Sequence, residues 1–378
     1  MLKVLTVVGT RPEIIKMSRL IAELDSQTQH ILVHTGQNYD FELNEIFFND
    51  LSIRKPDYFL DAAGENAAQT IGRVIEKVDY VLQREKPDAM VVYGDTNSCL
   101  SVIAGKRRQV PIFHLEAGNR CFDQRVPEEL NRKIVDHLSD INFVLSEHAR
   151  RYLIAEGVRP ENIIKTGSNM DEVIGFFRPK ILNSTILEKQ GLKKHSFFIA
   201  SIHREENVDS DEQLSKLVKA LNSVAEHYGL PVILSTHPRT RKRLNGLEHL
   251  TFSPLVKLMK PFGFFDYMKL QTCAKCVISD SGTLTEEASF LNFPAVMVRN
   301  THERPEGMDA GVVVMSGLNA KDVLRCVSLV IDHQEKFPNF DRTVKDYSNV
   351  SASTQVCRTI HSYVNYVNET VWRKPLYK

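Results

Sequence analysis

The stretch MLKVLTVVGTRPEIIK, Met1–Lys16, holds an apolar run, a glycine and a proline-led helical start. Lys3–Gly9 reads as a strand buried on both faces, with Gly9 making the turn. Pro12 falls in the first turn of the next helix, where its missing N–H costs nothing. This is the opening of a βα unit, and the pattern repeats. Ile31–Thr35, Ala89–Gly94, Pro111–Leu115, Ile141–Leu145 and Ile163–Thr166 are further apolar runs. Helical patterns such as Ala67–Arg84 and Glu128–Leu138 lie between them. Runs of Val, Ile and Leu separated by amphipathic stretches predict a parallel sheet covered on both faces.

The alternation pauses at Pro179–His195, a polar segment, and restarts with Phe197–Ile202, Val232–Ser235, Cys276–Ser279, Ala295–Val298 and Gly311–Met315. The expected organisation is therefore two doubly wound α/β domains. Residues 1–178 form the first, 179–195 a linker and 196–350 the second. Residues 351–378 hold a last helix, about Thr354–Val367, with no strand after it, expected to pack back on the first domain.

Bulk composition removes several classes. Lys plus Arg number 48 and Asp plus Glu 47, so the net charge of +1 argues against nucleic acid as a partner. No apolar run reaches the roughly 20 residues of a membrane span, and the first strand is too short and too soon interrupted for a signal peptide. A cytoplasmic protein with reduced thiols is expected. Of the six cysteines only Cys273 and Cys276 have metal-like spacing, and no second pair or histidine cluster completes a site.

In open α/β sheets ligands bind beyond the carboxyl ends of the strands. Those ends read GTRPEIIK, HTGQNYD, YGDTNS and HLEAGNR in the first half, and SIHREEN, STHPRTRKR, SDSGTLTEE and VRNTHERPEG in the second. Charged or hydroxyl groups at most of them predict one active-site cleft between the domains. Arg11 and Lys16 flank a helix start, where cations, backbone N–H groups and the helix dipole favour an anion. Ser281, Gly282 and Thr283 offer hydroxyls and N–H groups suited to a pyrophosphate, and Glu287 one turn on suits ribose hydroxyls. Plain helix capping accounts for part of that run only. His203 ends an apolar strand, and Glu116 lies between Leu115 and Ala117, where an unpaired carboxylate would be costly. Asp95 and Glu128 stand at helix starts, where capping is the ordinary role. The first turn lacks both the Gly-x-Gly-x-x-Gly and the Walker patterns, which disfavours a dinucleotide cofactor.

Together GTRPEIIK, GDTNS, EAGNR, PEELNR, HREEN, SDSGTLTEEAS and ERPEG resemble, in order, the non-hydrolysing UDP-N-acetylglucosamine 2-epimerase family. The resemblance implies two Rossmann-like domains of the glycosyltransferase-B type, a homodimer, and no nicotinamide or metal cofactor. It implies elimination of UDP to a 2-acetamidoglycal and re-addition with C2 inverted. By motif position Asp95, Glu116, Glu128 and His203 match the catalytic residues, and Arg11, Lys16, Ser281, Glu287 and Arg304 the UDP-binding ones. Arg120 and His237 are further candidates for the sugar.

Departures from the general pattern fall beside the acids. Gly-Asp-Thr-Thr-Thr becomes GDTNS, Glu-Ala-Gly-Leu-Arg becomes EAGNR, and Ser-Gly-Gly becomes SGT. These resemble the branch that makes UDP-N-acetyl-L-fucosamine from UDP-2-acetamido-2,6-dideoxy-L-talose for capsule or O-antigen synthesis. UDP-N-acetylglucosamine and UDP-N-acetyl-L-rhamnosamine are the alternative sugars. An inverting glycosyltransferase or a non-catalytic nucleotide-sugar-binding protein are the alternative classes. The cluster of acids argues against both.

Overall fold

The computed structural model describes residues 1–37, 48, 50–236, 238–247 and 250–374, with the backbone alone for Pro238, Arg239 and Asn245. The chain divides into two compact units, Met1–Gly175 with Asp346–Lys378, and Phe176–Lys345.

In the first unit seven parallel strands run in the order β3-β2-β1-β4-β5-β6-β7. They are β1 (Lys3–Val8), β2 (Gln29–His34), β3 (Tyr58–Phe59), β4 (Ala89–Tyr93), β5 (Ile112–Ala117), β6 (Ile141–Val144) and β7 (Ile163–Lys165). Every residue of β4 is buried, as its apolar sequence AMVVY requires of a central strand. Leu5, Val7, Met90 and Val92 close one core with Val74, Val78, Val81 and Leu82 of the Ala67–Glu85 helix. Each such side chain contributes about 1.5–3 kcal/mol by leaving water. The Ala352–Thr370 helix packs against the Arg11–Gln27 helix.

The second unit repeats the plan with six parallel strands, β10-β9-β8-β11-β12-β13. These are β8 (Phe198–Ile202), β9 (Val232–Thr236), β10 (Val256–Met259), β11 (Cys276–Ser279), β12 (Ala295–Met297) and β13 (Val314–Met315). In both sheets the strand order reverses beside the first strand of the unit, between β1 and β4 and between β8 and β11. Those are the points at which such sheets open for a ligand.

Three expectations change. The strands β3 and β10 were not expected. The helix Asn169–Leu182 runs through Pro179, so the chain passes between units inside a helix and not in a linker. The segment 179–195 belongs to the second unit, where Ile181 and Ile186 are buried, Ser184 bonds Asp266, and the His195 N–H donates to Cys273 O. Its few apolar residues outweigh its polar composition. The return to the first unit comes at Asp346, ahead of the expected 350/351 boundary. Cys273 ends a helix and Cys276 begins β11. Both are buried thiols.

Candidate active site

At the β1/β4 switch point, Glu13 in the first helical turn accepts N–H bonds from Gly9 at 2.6 Å and Thr10 at 2.8 Å through one oxygen. Its other oxygen accepts from the Thr96 hydroxyl, in the turn beyond β4. The carboxyl is buried. Loss of water pushes its pKa up to about 7, against the bonds from Thr96, Gly9 and Thr10, which pull it down. Sequence reading missed this role, although Thr-x-x-Glu is a capping-box signature.

Glu116 occupies a position that few side chains adopt. Its φ is +65°, and the β5/β6 register slips between Leu115 and Ala117. A bulge with a left-handed residue re-aims a side chain at a strand end. The carboxylate thereby meets Lys16 Nζ at 2.6 Å, with Lys16 only 4 % exposed. Asn119 Nδ2 lies 3.5 Å from its other oxygen. Lys16, expected at an anion, thus engages Glu116.

Asp95, in the turn after β4, is gripped by the Pro127–Leu138 helix. Arg132 Nε donates to Oδ2 at 2.8 Å and Asn131 Nδ2 to the backbone oxygen at 2.9 Å. The same amide lies 3.3 Å from Asn97 Oδ1. Glu128 is half-buried in the first turn of that helix. Glu129 is buried and accepts from the Cys121 and Phe122 N–H groups and from Arg132. Burial alone would raise its pKa. The Cys121 and Arg132 bonds outweigh burial and hold it below the usual range.

Beneath β5, His114 Nε2–H donates to Gly94 O, and Nδ1 stands 2.9 Å from Asp136. Arg120 pairs Asp136 and Glu156 at 2.7 and 2.6 Å and is completely buried. Its guanidinium therefore anchors the turn after Glu116, a structural post that does not fit the sugar-binding expectation. His237 lies outside the described residues. Arg11 opens its helix half-exposed.

The β8/β11 switch point is tied by Asp280, which is fully buried. It accepts from the N–H groups of His203 and Arg204, at 3.1 Å each, and from Asn207 Nδ2 at 3.0 Å. His203 Nδ1 lies 3.3 Å from the same carboxylate. The ring's rim reaches solvent, but the protein packed around it strips water from the charged form. The pKa falls below the ordinary value although Asp280 opposes this. In the following turn Ser281 Oγ and Thr283 Oγ1 stand 3.0 Å apart, and Thr283 donates to Glu287 at 2.8 Å. Gln271 fixes the other oxygen of Glu287 at 2.6 Å. A side chain on Gly282 would collide with Glu303, its Cβ falling 2.3 Å from Oε1. Glu303 in turn bonds Arg204 at 3.1 Å and Arg299 at 2.8 Å. Arg304 is buried against Glu286 at 3.1 Å. Asp280, Arg299, Glu303 and Arg132 were not singled out from sequence: Asp280, Glu303 and Arg132 each join a residue distant along the chain, and Arg299 sits beside Glu303 four residues on.

One unit thus offers carboxylates held by cations, and the other offers cations, hydroxyls and N–H groups at a strand-to-helix turn. Polar groups gathered at the switch point of each parallel sheet are the mark of an α/β enzyme. A family profile described as UDP-N-acetylglucosamine 2-epimerase matches residues 22–361. The Methanococcus maripaludis UDP-N-acetylglucosamine 2-epimerase is 36% identical over 90% of this chain and 94% of its own. The Pseudomonas aeruginosa UDP-2,3-diacetamido-2,3-dideoxy-D-glucuronate 2-epimerase is 37% identical over 85% and 90%. The solved structure of UDP-N-acetylglucosamine 2-epimerase from Rickettsia bellii is 54% identical and covers 99% of this chain and 100% of its own, with a TM-score of 0.93. The chain belongs to the UDP-N-acetylglucosamine 2-epimerase family, which makes it a UDP-sugar 2-epimerase with a glycosyltransferase-B-like fold.

Proposed function

We propose that the enzyme inverts C2 of UDP-2-acetamido-2,6-dideoxy-L-talose to give UDP-N-acetyl-L-fucosamine, for capsule or O-antigen synthesis in the cytoplasm, as a homodimer. The observation that carries this reading is the position of two asparagines. Where the general pattern has Leu and Thr, this chain has Asn119 on the Glu116 carboxylate and Asn97 on the amide that holds Asp95. Both changes alter the polar surroundings of the acids, where a different sugar would be felt.

The C2–H bond beside an acetamide is not acidic, so the C1–O bond to UDP must loosen first. Charge then builds on the departing diphosphate and on the sugar ring. The Ser281–Thr283 turn with His203 and Arg11 supplies donors for the diphosphate. Asp95, Glu116 and Glu128 supply carboxylates for the positive ring and for the C2 proton, which leaves one face and returns to the other. Lys16 and Arg132 fix the first two acids in place through charged pairs at 2.6 and 2.8 Å.

A second reading, UDP-N-acetylglucosamine as substrate, is favoured by the Rickettsia bellii protein's name at 54% identity. Relatives at 36% and 37% bear the names of two different sugars, so identity at that level does not choose. The deciding experiment incubates the protein with each UDP-sugar in D2O and follows C2 by NMR. Fastest deuterium entry into the 6-deoxy-L-talose sugar is expected. Exchange restricted to UDP-N-acetylglucosamine selects the second reading, and full retention of C2–H in every sugar sinks the mechanism.

A further inference from the structure

Asp95 and Glu116 are held differently. Glu116 has Lys16 on one oxygen and Asn119 near the other. Asp95 gives Oδ2 to Arg132, and among the described residues Oδ1 accepts no hydrogen bond. Arg132 is 3 % exposed, and its fork spans two acids, Nε on Asp95 and Nη1 on Glu129 at 3.0 Å. Glu129 meanwhile fastens the backbone of Cys121 and of Phe122, a residue with φ +57° and an exposed ring. One guanidinium therefore joins an acid after β4 to the loop that follows Glu116.

We propose that Arg132 is a positioning residue for the epimerisation. It occupies Oδ2 of Asp95, leaves Oδ1 as the oxygen that meets the sugar, and couples that orientation through Glu129 to the Cys121–Phe122 loop. The argument is geometric. A planar fork with fixed donor directions holds two carboxylates in one plane, whereas an ammonium is a point charge with no fixed direction. An acid–base group must stand within hydrogen-bond reach of its proton, and a small misplacement costs a large share of the rate. A half-buried carboxylate carrying one bound and one open oxygen has its basic lone pair aimed by the bound one.

The inference rests on Asp95 serving as an acid–base residue, and the test separates the two claims. Arg132→Lys, Asp95→Asn and the double variant are compared for C2 deuterium exchange, UDP binding by calorimetry and thermal midpoint. Arg132→Lys is expected to lower the exchange kcat by roughly 10–100-fold with little change in KM or UDP affinity. In the Asp95→Asn background the same change is expected to add almost nothing, because the two residues act as one unit. Arg132→Gln, which removes the cation beside Asp95, is expected to move the acid limb of the kcat/KM profile to higher pH. Independent, multiplying losses in the double variant would show that Arg132 acts through packing alone and overturn the proposal. So would an Arg132→Lys variant with wild-type exchange. Wild-type exchange in Asp95→Asn would overturn the role of Asp95 itself. Should Arg132→Gln fail to fold, Arg132→Lys and the double variant still decide.

Discussion

The two sheets share a strand order, yet their switch points are tied from opposite sides. In the first unit the bridging carboxyl, Glu13, comes from the helix after β1 and reaches out to Thr96 beyond β4. In the second, Asp280 comes from the end of β11 and reaches back to the chain after β8. Glu13 meets only uncharged donors and is buried, which brings its pKa to about 7. Asp280 has the His203 ring beside it and gathers donors from three residues. The difference follows the work expected of each end. On the proposed function the first unit presents carboxylates, and those acids lean on Lys16 and Arg132 while the bridge itself meets uncharged donors. On the same proposal the second receives the diphosphate, and its bridge fixes the backbone that carries His203 and Arg204.

Three measurements break or sharpen that contrast. Glu116→Gln removes a carboxylate from the end that presents them. Exchange at C2 is expected to fall by roughly 10²–10⁴-fold while UDP binding, followed by calorimetry, stays near wild type. Loss of UDP affinity in step with exchange would erase the division between the two ends. Asp280→Asn replaces an acceptor with a group that is half donor, facing three donors. Leaving them partly unsatisfied is expected to cost about 1–3 kcal/mol, read as a roughly 5–150-fold weakening of UDP binding. Unchanged affinity would mean that the β8 turn does not depend on its bridge.

Glu13→Gln has the smallest expected effect and the clearest sign. The folded protein raises this pKa from 4.5 to about 7. It therefore holds a proton that the unfolded chain has released. The native state is favoured below about pH 4.5, and that advantage is lost as pH rises through about 7. The Glu13→Gln variant lacks this titration. Its thermal midpoint relative to wild type should climb between pH 5 and pH 8 by a few degrees. A constant offset across that range would place the titration elsewhere.

The strands were legible because both sheets bury Val, Ile and Leu on both faces. The misses were edge strands, where that signal fades. Tyr58–Phe59 is two residues long and partly exposed, and Lys257 points to solvent in Val256–Met259. Pro179 read as a break, yet the helix carries it. Among the candidate site residues, Asp95, Glu116 and His203 stood out as polar groups at the ends of apolar runs, and Glu128 as an acid at a helix start. Their partners did not. Nothing local links Lys16 to Glu116, a hundred residues apart, or Arg132 to Asp95. Arg120 drew attention by its charge, and only the fold reveals Asp136 and Glu156 beneath it. Charge is visible in a sequence, whereas pairing is a property of topology.

The first unit is interrupted, since Asp346–Lys378 belongs to it while Phe176–Lys345 forms the second. A ribosome therefore finishes the second unit before it makes the helix that lies along Arg11–Gln27. The contiguous unit has all of its core in hand when Lys345 emerges. The helix bearing Glu13 and Lys16 packs early on β1 and β2, but the face that meets Ala352–Thr370 waits for that helix to be synthesised. The first unit is thus complete only once the chain has returned to it at Asp346–Lys378.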